Sequence, residues 1–107
     1  MSERELLQVE IVGMAGWLSA EDVCRLCRIE LAVLIELADL GLIAPRGATP
    51  DRWELEAREL PRLRVAGRLM HDLGLNVSGA ALAVELLAAR RSLEQRVRNL
   101  ERLLSDS

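Results

Sequence analysis

The segment "RIELAVLIELADLGLIAPRG", residues 28–47, is the most informative about the fold. A helix is predicted from near Glu30 to Gly41, because glycine readily takes the left-handed turn that ends a helix. "LIAP" then leaves as an extended segment. This framework is typical of the second helix of a helix-turn-helix and its exit into a wing. Its acidic side chains have the wrong sign for reading a phosphate duplex: Glu30, Glu36 and Asp39.

The segments around this stretch predict the rest of a winged unit. "LSAEDVCRLCRI" begins the preceding helix, with Ser19 as N-cap and Asp22 three residues on. Before it, "LLQVEIVG" over 6–13 predicts a strand and "GMAGW" a turn. After "LIAP", "RGATPDR" is turn-rich and "WELEA" is a strand, so these two extended segments predict a β-hairpin wing.

Two further helices follow the wing. One is expected from Glu59 to Leu73, with Pro61 in its first turn and Gly74 after its end. The last is expected over 79–104, with Ser78 as N-cap. Its apolar residues recur at alternating spacings of four and three, the pattern of a coiled-coil seam. The predicted dimerisation residues are Leu86, Leu93, Val97, Leu100 and Leu104, and Arg90 lies on the same seam as a polar residue suited to fixing its register.

The predicted fold is therefore mainly α: a winged helix-turn-helix with a small β-hairpin wing and a long C-terminal coiled-coil helix. With 107 residues, the chain suits one compact unit. Within it, residues 1–77 are expected to form the winged part and residues 78–107 the dimerisation helix.

Charge is divided unevenly along the chain. Residues 1–59 hold 6 Arg against 12 Asp and Glu, whereas residues 60–107 hold 8 Arg against 5 Asp and Glu. An acidic front half argues against nucleic acid, which needs cations on the binding face, and favours a basic protein partner. No segment has the run of about 18 apolar residues that a membrane span needs. "MSERELLQVE" does not resemble a signal peptide, so the expected compartment is the cytoplasm.

Residues with reactive side chains do not form a complete site in the sequence. Cys24 and Cys27 form a C-x-x-C, but only His71 is available as a further zinc ligand. Packing on a helix is the favoured interpretation of this pair, and a thiol-based sensor is a weaker alternative. His71 and Asp72 are adjacent on a helix, so their side chains point in different directions. No catalytic residue, metal or cofactor is predicted, and the chain is not expected to be an enzyme.

The second helix carries more apolar surface than one buried face requires. At about 100° per residue, Ala32, Glu36 and Asp39 lie on one narrow stripe. The rest of the helix is apolar: Leu31, Val33, Leu34, Ile35, Leu37, Ala38 and Leu40. Two alternatives follow. Either the third helix and the wing cover this surface on two sides, or part of it forms an interface.

In its order of elements the chain resembles the MerR-like winged-helix architecture over about residues 17–104. The features that carry the resemblance are the "GLIAP" exit, the wing, "RLMHDLGL" and the long closing helix. A MerR-type regulator has a basic, tyrosine-rich reading helix. Here the helix is "ELAVLIELADLG", which has no base-reading side chain. A MerR-type DNA-binding transcriptional regulator is therefore kept as the alternative function.

The chain is also similar to the CbpM family of chaperone modulators. The residues that carry this similarity are the acidic helix before "GLIAP", Trp53 in the wing, "RLMHDLGL", "VSGAALAVELL" and the short Arg/Glu-rich coiled coil. The resemblance implies a homodimer that binds the J-domain of a DnaJ-like co-chaperone, CbpA, and blocks its work with DnaK. From charge alone, Glu30, Glu36 and Asp39 are expected at or near the basic helix of that J-domain.

Overall fold

Four helices and a two-stranded antiparallel sheet make up the structure, a computed structural model that describes residues 16–106. The elements are β1 (Trp17–Ser19), α1 (Ala20–Cys27), α2 (Leu31–Asp39), β2 (Glu54–Glu56), α3 (Leu60–Leu73) and α4 (Val77–Ser105). Short 3-10 turns flank β2 at Pro50–Arg52 and Ala57–Glu59. The mainly α, winged helix-turn-helix arrangement with a long last helix is confirmed. The strand predicted over 6–13 lies outside the described residues.

The turn of the helix-turn-helix is short and sharply bent. α1 begins where predicted, with Ser19 Oγ accepting a hydrogen bond from the Asp22 amide at 3.1 Å. It ends at Cys27, and the chain reverses at Arg28, whose φ of 58° lies in the left-handed region. α2 then begins after Glu30, which occupies the N-cap position without a side-chain capping bond.

The exit from α2 follows the sequence prediction. Gly41 has a φ of 81°, a value that glycine adopts without steric cost. The next amide, that of Leu42, donates to the Leu37 carbonyl at 3.0 Å, closing the end of the helix. Leu42 and Ile43 are then buried, so the exit segment is anchored in the core by its side chains.

The wing pairs differently from the prediction. β2 forms its ladder with β1, in the register Trp17↔Glu56, Leu18↔Leu55 and Ser19↔Glu54. The predicted hairpin with the exit segment is reduced to one bridge, in which Arg46 and Glu54 exchange backbone hydrogen bonds of 3.0 and 2.8 Å. β2 takes β1 as its ladder partner because this pairing sets the buried Leu18 beside the buried Leu55 in the core.

α3 has the predicted limits, whereas the start of α4 differs. Gly74 ends α3 with a φ of 69°. The N-cap of α4 is Asn76, whose Oδ1 accepts from the Gly79 amide at 2.7 Å. The prediction of Ser78 as N-cap was wrong. Asn76 has the extended backbone that capping requires, and Ser78 lies inside the first turn.

The core is aliphatic and lies between α1, α2, α3, β2 and the first turns of α4. Its largest fully buried side chains are Leu34, Leu37, Leu42, Leu55, Leu60, Leu63 and Val23. α4 contributes Ala80, Ala81 and Val84, after which every described residue is exposed. The remaining five to six turns of α4 therefore project from the body, and the described residues extend over 54 × 30 × 27 Å.

Candidate protein-interaction surface

One exposed side of α2 combines two carboxylates with apolar neighbours; we call it the acidic face and define it as Ala32, Ile35, Glu36, Asp39 and Leu40. Glu36 and Asp39 are exposed, as predicted from the helical stripe. Ile35 lies on one side of them and is half-buried, and Leu40 lies on the other side and is 44% exposed. The acidic face thus places negative charge at the centre of a small apolar patch.

The other apolar residues of α2 pack inside the molecule. Leu34 and Leu37 are fully buried, and the core also holds, partly buried, Leu31, Val33 and Ala38. α2 packs against α1, the first turns of α4 and the 3-10 turn at Pro50–Arg52. Coverage therefore comes from the first and last helices and one turn of the wing, and not mainly from α3. Ile35 and Leu40 are absent from the packed core, so the apolar side chains of the acidic face are the ones of α2 and its C-cap best placed to contact a partner.

The carboxylates of the acidic face are not neutralised within the part of the chain that the structure describes. Several other acidic side chains there have an arginine partner: Glu21 and Asp22 with Arg25, Glu54 with Arg46, Glu56 with Arg58, and Glu94 with Arg90. Across residues 16–106, no ion pair involves Glu36 or Asp39. Their negative potential is therefore directed outward, toward whatever approaches α2.

Glu30 lies apart from the acidic face. It is exposed at the N-cap of α2, six residues before Glu36. That spacing corresponds to about 9 Å along the helix and about 120° around it. The structure thus brings together two of the three predicted partner-binding residues, and it leaves the third at the end of the helix.

The predicted seam runs along the projecting part of α4. Its apolar members are between 52% and 76% exposed: Leu86, Leu93, Val97, Leu100 and Leu104. Arg90 donates from Nε to Glu94 Oε1 at 2.9 Å on the same helix. Sequence reasoning missed three further exposed leucines on α4, namely Leu82, Leu87 and Leu103. Such a row of aliphatic side chains on a lone helix is the pattern that coiled-coil pairing covers.

The wing carries an exposed aromatic residue that the sequence did not single out. The Arg46 guanidinium lies 3.6 Å from the centroid of the Trp17 ring, and Arg46 also pairs with Glu54 at 3.3 Å. Trp17 is 39% exposed. Trp53, the tryptophan that carried the family resemblance, instead packs partly buried against the core. The β1–β2 pairing, invisible in the sequence, is what brings Trp17 into the wing.

The two thiols and the histidine contact the packed interior and the backbone. Burial raises the pKa of the Cys27 thiol to about 12, outweighing the opposing effect of Arg64. Burial also raises the pKa of Cys24. His71 Nε2 lies 2.6 Å from the backbone carbonyl oxygen of Arg28, so its partner is the turn after α1. Over residues 16–106, no three His, Cys, Asp or Glu side chains gather in a metal-binding arrangement.

The chain matches the family described as "MerR HTH family regulatory protein" over residues 18–102. It is also 33% identical over 70 residues to the chaperone modulatory protein CbpM of Pseudomonas entomophila (strain L48), covering 65% of this chain and 69% of that protein. This chain belongs to the CbpM family. The chaperone modulatory protein CbpM of Coxiella burnetii (strain Dugway 5J108-111) is 29% identical over 99 residues, 92% of this chain and 93% of that protein.

The family match includes both surfaces described above. It begins within β1 and ends near the last turn of α4, so the acidic face and most of the α4 seam fall inside it. A second CbpM relative, from Pseudomonas putida (strain W619), is 31% identical over 70 residues. No solved structure matches the chain significantly. Among the helices of residues 16–106, none has the length and apolar character that crossing a membrane requires.

Proposed function

We propose that this chain is a homodimeric, non-catalytic chaperone modulator that acts in the cytoplasm. It binds the J-domain of a DnaJ-like co-chaperone of the CbpA type and thereby blocks engagement of DnaK. Its relatives are named chaperone modulatory proteins. The observation that carries the proposal is the acidic face of α2, which stands where a DNA-reading member of the MerR-like architecture has a basic helix.

The chemistry of the acidic face suits a basic helix of a protein partner. Glu36 and Asp39 supply long-range attraction and select against acidic partners. Ile35 and Leu40 supply apolar area that leaves water when the partner binds. We place Glu36 and Asp39 in the contact with the basic J-domain helix, and Glu30 at the edge of that contact.

The homodimer part of the proposal rests on the α4 seam. Pairing two copies of α4 would bury the aliphatic row that stands exposed on a single chain. Each dimer would then carry two acidic faces, one on each body. Arg90 occupies a seam position, where a polar residue lowers the stability of a coiled coil and favours one register.

Titration calorimetry with a purified CbpA-type J-domain tests the proposal. We expect binding by the wild type that weakens as salt is added, because screening reduces charge attraction. Glu36→Arg combined with Asp39→Arg should weaken binding by at least about tenfold. The matched control is Glu85→Arg with Asp106→Arg, which makes the same charge change at an exposed position of α4 and at its exposed C-cap.

The outcomes separate the proposal from the alternative. Absence of J-domain binding at low salt would refute the proposed function as a whole. Equal losses in the α2 and α4 double variants would refute only the assignment to the acidic face. Salt-sensitive, sequence-specific binding to duplex DNA in a gel-shift assay would favour the MerR-type regulator instead.

A further inference from the structure

A cleft between the end of α1 and one side of α3 gathers basic side chains. It has a volume of about 300 Å³. Leu26, Cys27 and Gly67 contribute to its walls; the charged and titratable residues that line it are Arg28, Arg64, Arg68, His71 and Asp72. Three arginines against a single carboxylate give this cleft a positive charge in a protein whose net charge is −3. We call it the basic cleft.

The basic cleft is built by helix periodicity and by one close contact. Arg64, Arg68 and His71 recur at spacings of four and three, so they lie on the same side of α3. Gly67 stands among them, and a Cβ placed on it would lie 2.6 Å from the Cys27 carbonyl oxygen. The end of α1 therefore packs directly on the α3 backbone, which brings Arg28 to the same cleft.

Arg28 occupies a backbone conformation that its residue type disfavours. Its φ is 58°, and it is the single non-glycine residue of positive φ within residues 16–106. Glycine would take this position with less strain. The His71 ring, which lies 2.6 Å from the Arg28 carbonyl oxygen, helps to hold the turn in place. An arginine here costs stability that a glycine would retain, and it adds a guanidinium to the cleft.

We infer that the basic cleft binds an acidic segment of a protein partner through Arg28 and Arg68. Both side chains are exposed, and neither has a carboxylate partner in residues 16–106. The cleft is separate from the acidic face of α2, so the inference goes beyond the proposed function and does not depend on it. One molecule would thus present an acidic face for a basic surface and a basic cleft for an acidic segment. A partner that engages both must carry both charges in matching positions.

Carboxylates suit the cleft better than a nucleic acid. Asp72 at the lining and the C-terminal ends of α1 and α3 contribute negative charge beside the arginines. A phosphate backbone, with its dense and regular charge, would meet this repulsion and the acidic front half of the chain. A short acidic segment places a few carboxylates on the arginines and avoids those groups. The apolar contribution of Leu26 also suits the aliphatic part of a glutamate side chain.

Fluorescence anisotropy with a fluorescein-labelled peptide, in which two glutamates are separated by neutral residues, tests the inference at low ionic strength. The wild type should bind, and Arg28→Gly and Arg68→Gln should each weaken binding by about fivefold. Arg28→Gly should also keep or raise the melting temperature, because it relieves the left-handed backbone. The matched control is Arg96→Gln, which removes one exposed arginine from α4 and should leave binding unchanged.

Three results would overturn the inference: no binding of the peptide by the wild type, an equal loss with Arg96→Gln, or a lower melting temperature for Arg28→Gly together with unchanged binding. A labelled thymidine oligonucleotide supplies the competing ligand class. If it binds more tightly than the peptide and depends on Arg28 and Arg68, the cleft is a nucleic-acid site and the assignment to an acidic protein segment is wrong. J-domain binding, measured separately, reports on the proposed function alone.

Discussion

Gly67 fixes the distance between α1 and α3. Its hydrogen occupies the place where any other residue would direct a Cβ at the Cys27 carbonyl oxygen. The nearest obstacle is backbone, which cannot turn away as the end of a flexible side chain can. This single position therefore sets how closely the helix-turn-helix packs on the third helix, and with it the shape of the basic cleft.

Replacing Gly67 tests that close contact. We expect Gly67→Ala to lower the free energy of unfolding by about 1–3 kcal/mol, because the added methyl group overpacks a helix contact. Urea denaturation followed by circular dichroism measures it. Gly79→Ala serves as control: there the nearest atom is Asn76 Oδ1 at 3.0 Å, a side-chain atom that can give way by a few tenths of an ångström while keeping its capping bond. Alanine also favours the helix more than glycine does, so the loss should be much smaller. Equal stability of Gly67→Ala and wild type would contradict the contact.

The thiol of Cys27 should be protected by its burial. Its pKa is raised from 9.0 to about 12, mainly because burial disfavours the thiolate. Since the folded pKa lies above the unfolded one, Cys27 leaves the free energy of unfolding unchanged below about pH 9. As the pH rises from about 9 toward 12, the thiol ionises more readily in the unfolded state, so the free energy of unfolding falls. Iodoacetamide at neutral pH should therefore modify Cys27 in urea and spare it in the native protein.

Cys27→Ala is the control for this reactivity, because it leaves Cys24 as the single thiol of the chain. Cys24 is less deeply buried, so any native modification should occur there first. If Cys27 reacts at the same rate in native and unfolded protein, the packing interpretation fails and the thiol-sensor hypothesis gains support.

Among the elements, α4 depends on a cap that lies two residues before the predicted one. Asn76 and Ser78 are both residue types that cap helices well. The cap is the one whose backbone is extended, since a residue already in helical conformation cannot serve. Tertiary packing decides this, because Ala80 and Ala81 have to face the core. The cap is Asn76, two residues earlier than predicted.

The two candidate caps can be compared directly. Asn76→Ala should destabilise the protein by about 1 kcal/mol, since it removes the acceptor for the Gly79 amide. Ser78→Ala should change stability little, because Ser78 lies within the helix and alanine is a good helix former. Thermal unfolding of both variants under the same conditions measures the difference. A larger loss for Ser78→Ala would contradict the observed cap.

Several features of α2 were predicted well from the local sequence pattern. Its limits, its C-terminal glycine and its exposed carboxylates all follow from residue spacing and the turn preference of Gly41. The elements that cover its apolar sides could not be predicted in this way, because packing partners depend on contacts distant in sequence. Leu34 and Leu37 are buried against elements that include α4, more than 40 residues later.

In the molecule as a whole, the proposed assembly depends on the projecting part of α4, residues 85–105. We expect Leu93→Glu to convert the proposed dimer into a monomer, because it places a charge in the apolar seam. Sedimentation velocity measures the change. Leu103→Glu is the control, as it makes the same substitution at an exposed leucine of α4 outside the seam.

Two outcomes would contradict this arrangement. If wild-type protein sediments as a monomer at every concentration tested, the homodimer proposal is wrong. If Leu93→Glu and Leu103→Glu weaken association equally, the exposed leucines of α4 associate without the predicted register. In either case the binding of a J-domain by the acidic face can be tested separately.

Features that depend on neighbours along the chain could be predicted from the residues alone. These are the number and order of helices, the glycine-ended turns, the acidic stripe on α2 and the aliphatic row on α4. Each follows from helix periodicity, turn preference or charge, which act over a few residues. For the same reason the limits of α3 were predicted within one residue.

Contacts between segments distant in sequence were set by the tertiary structure. It paired β2 with β1 and so brought Trp17 beside Arg46, and it closed α1 onto Gly67 and so formed the basic cleft. It also left Glu30 away from the two carboxylates of the acidic face. Strand partners and helix contacts are selected by burial of the whole core. That burial depends on many residues together, so no single residue predicts which segments will pack against each other.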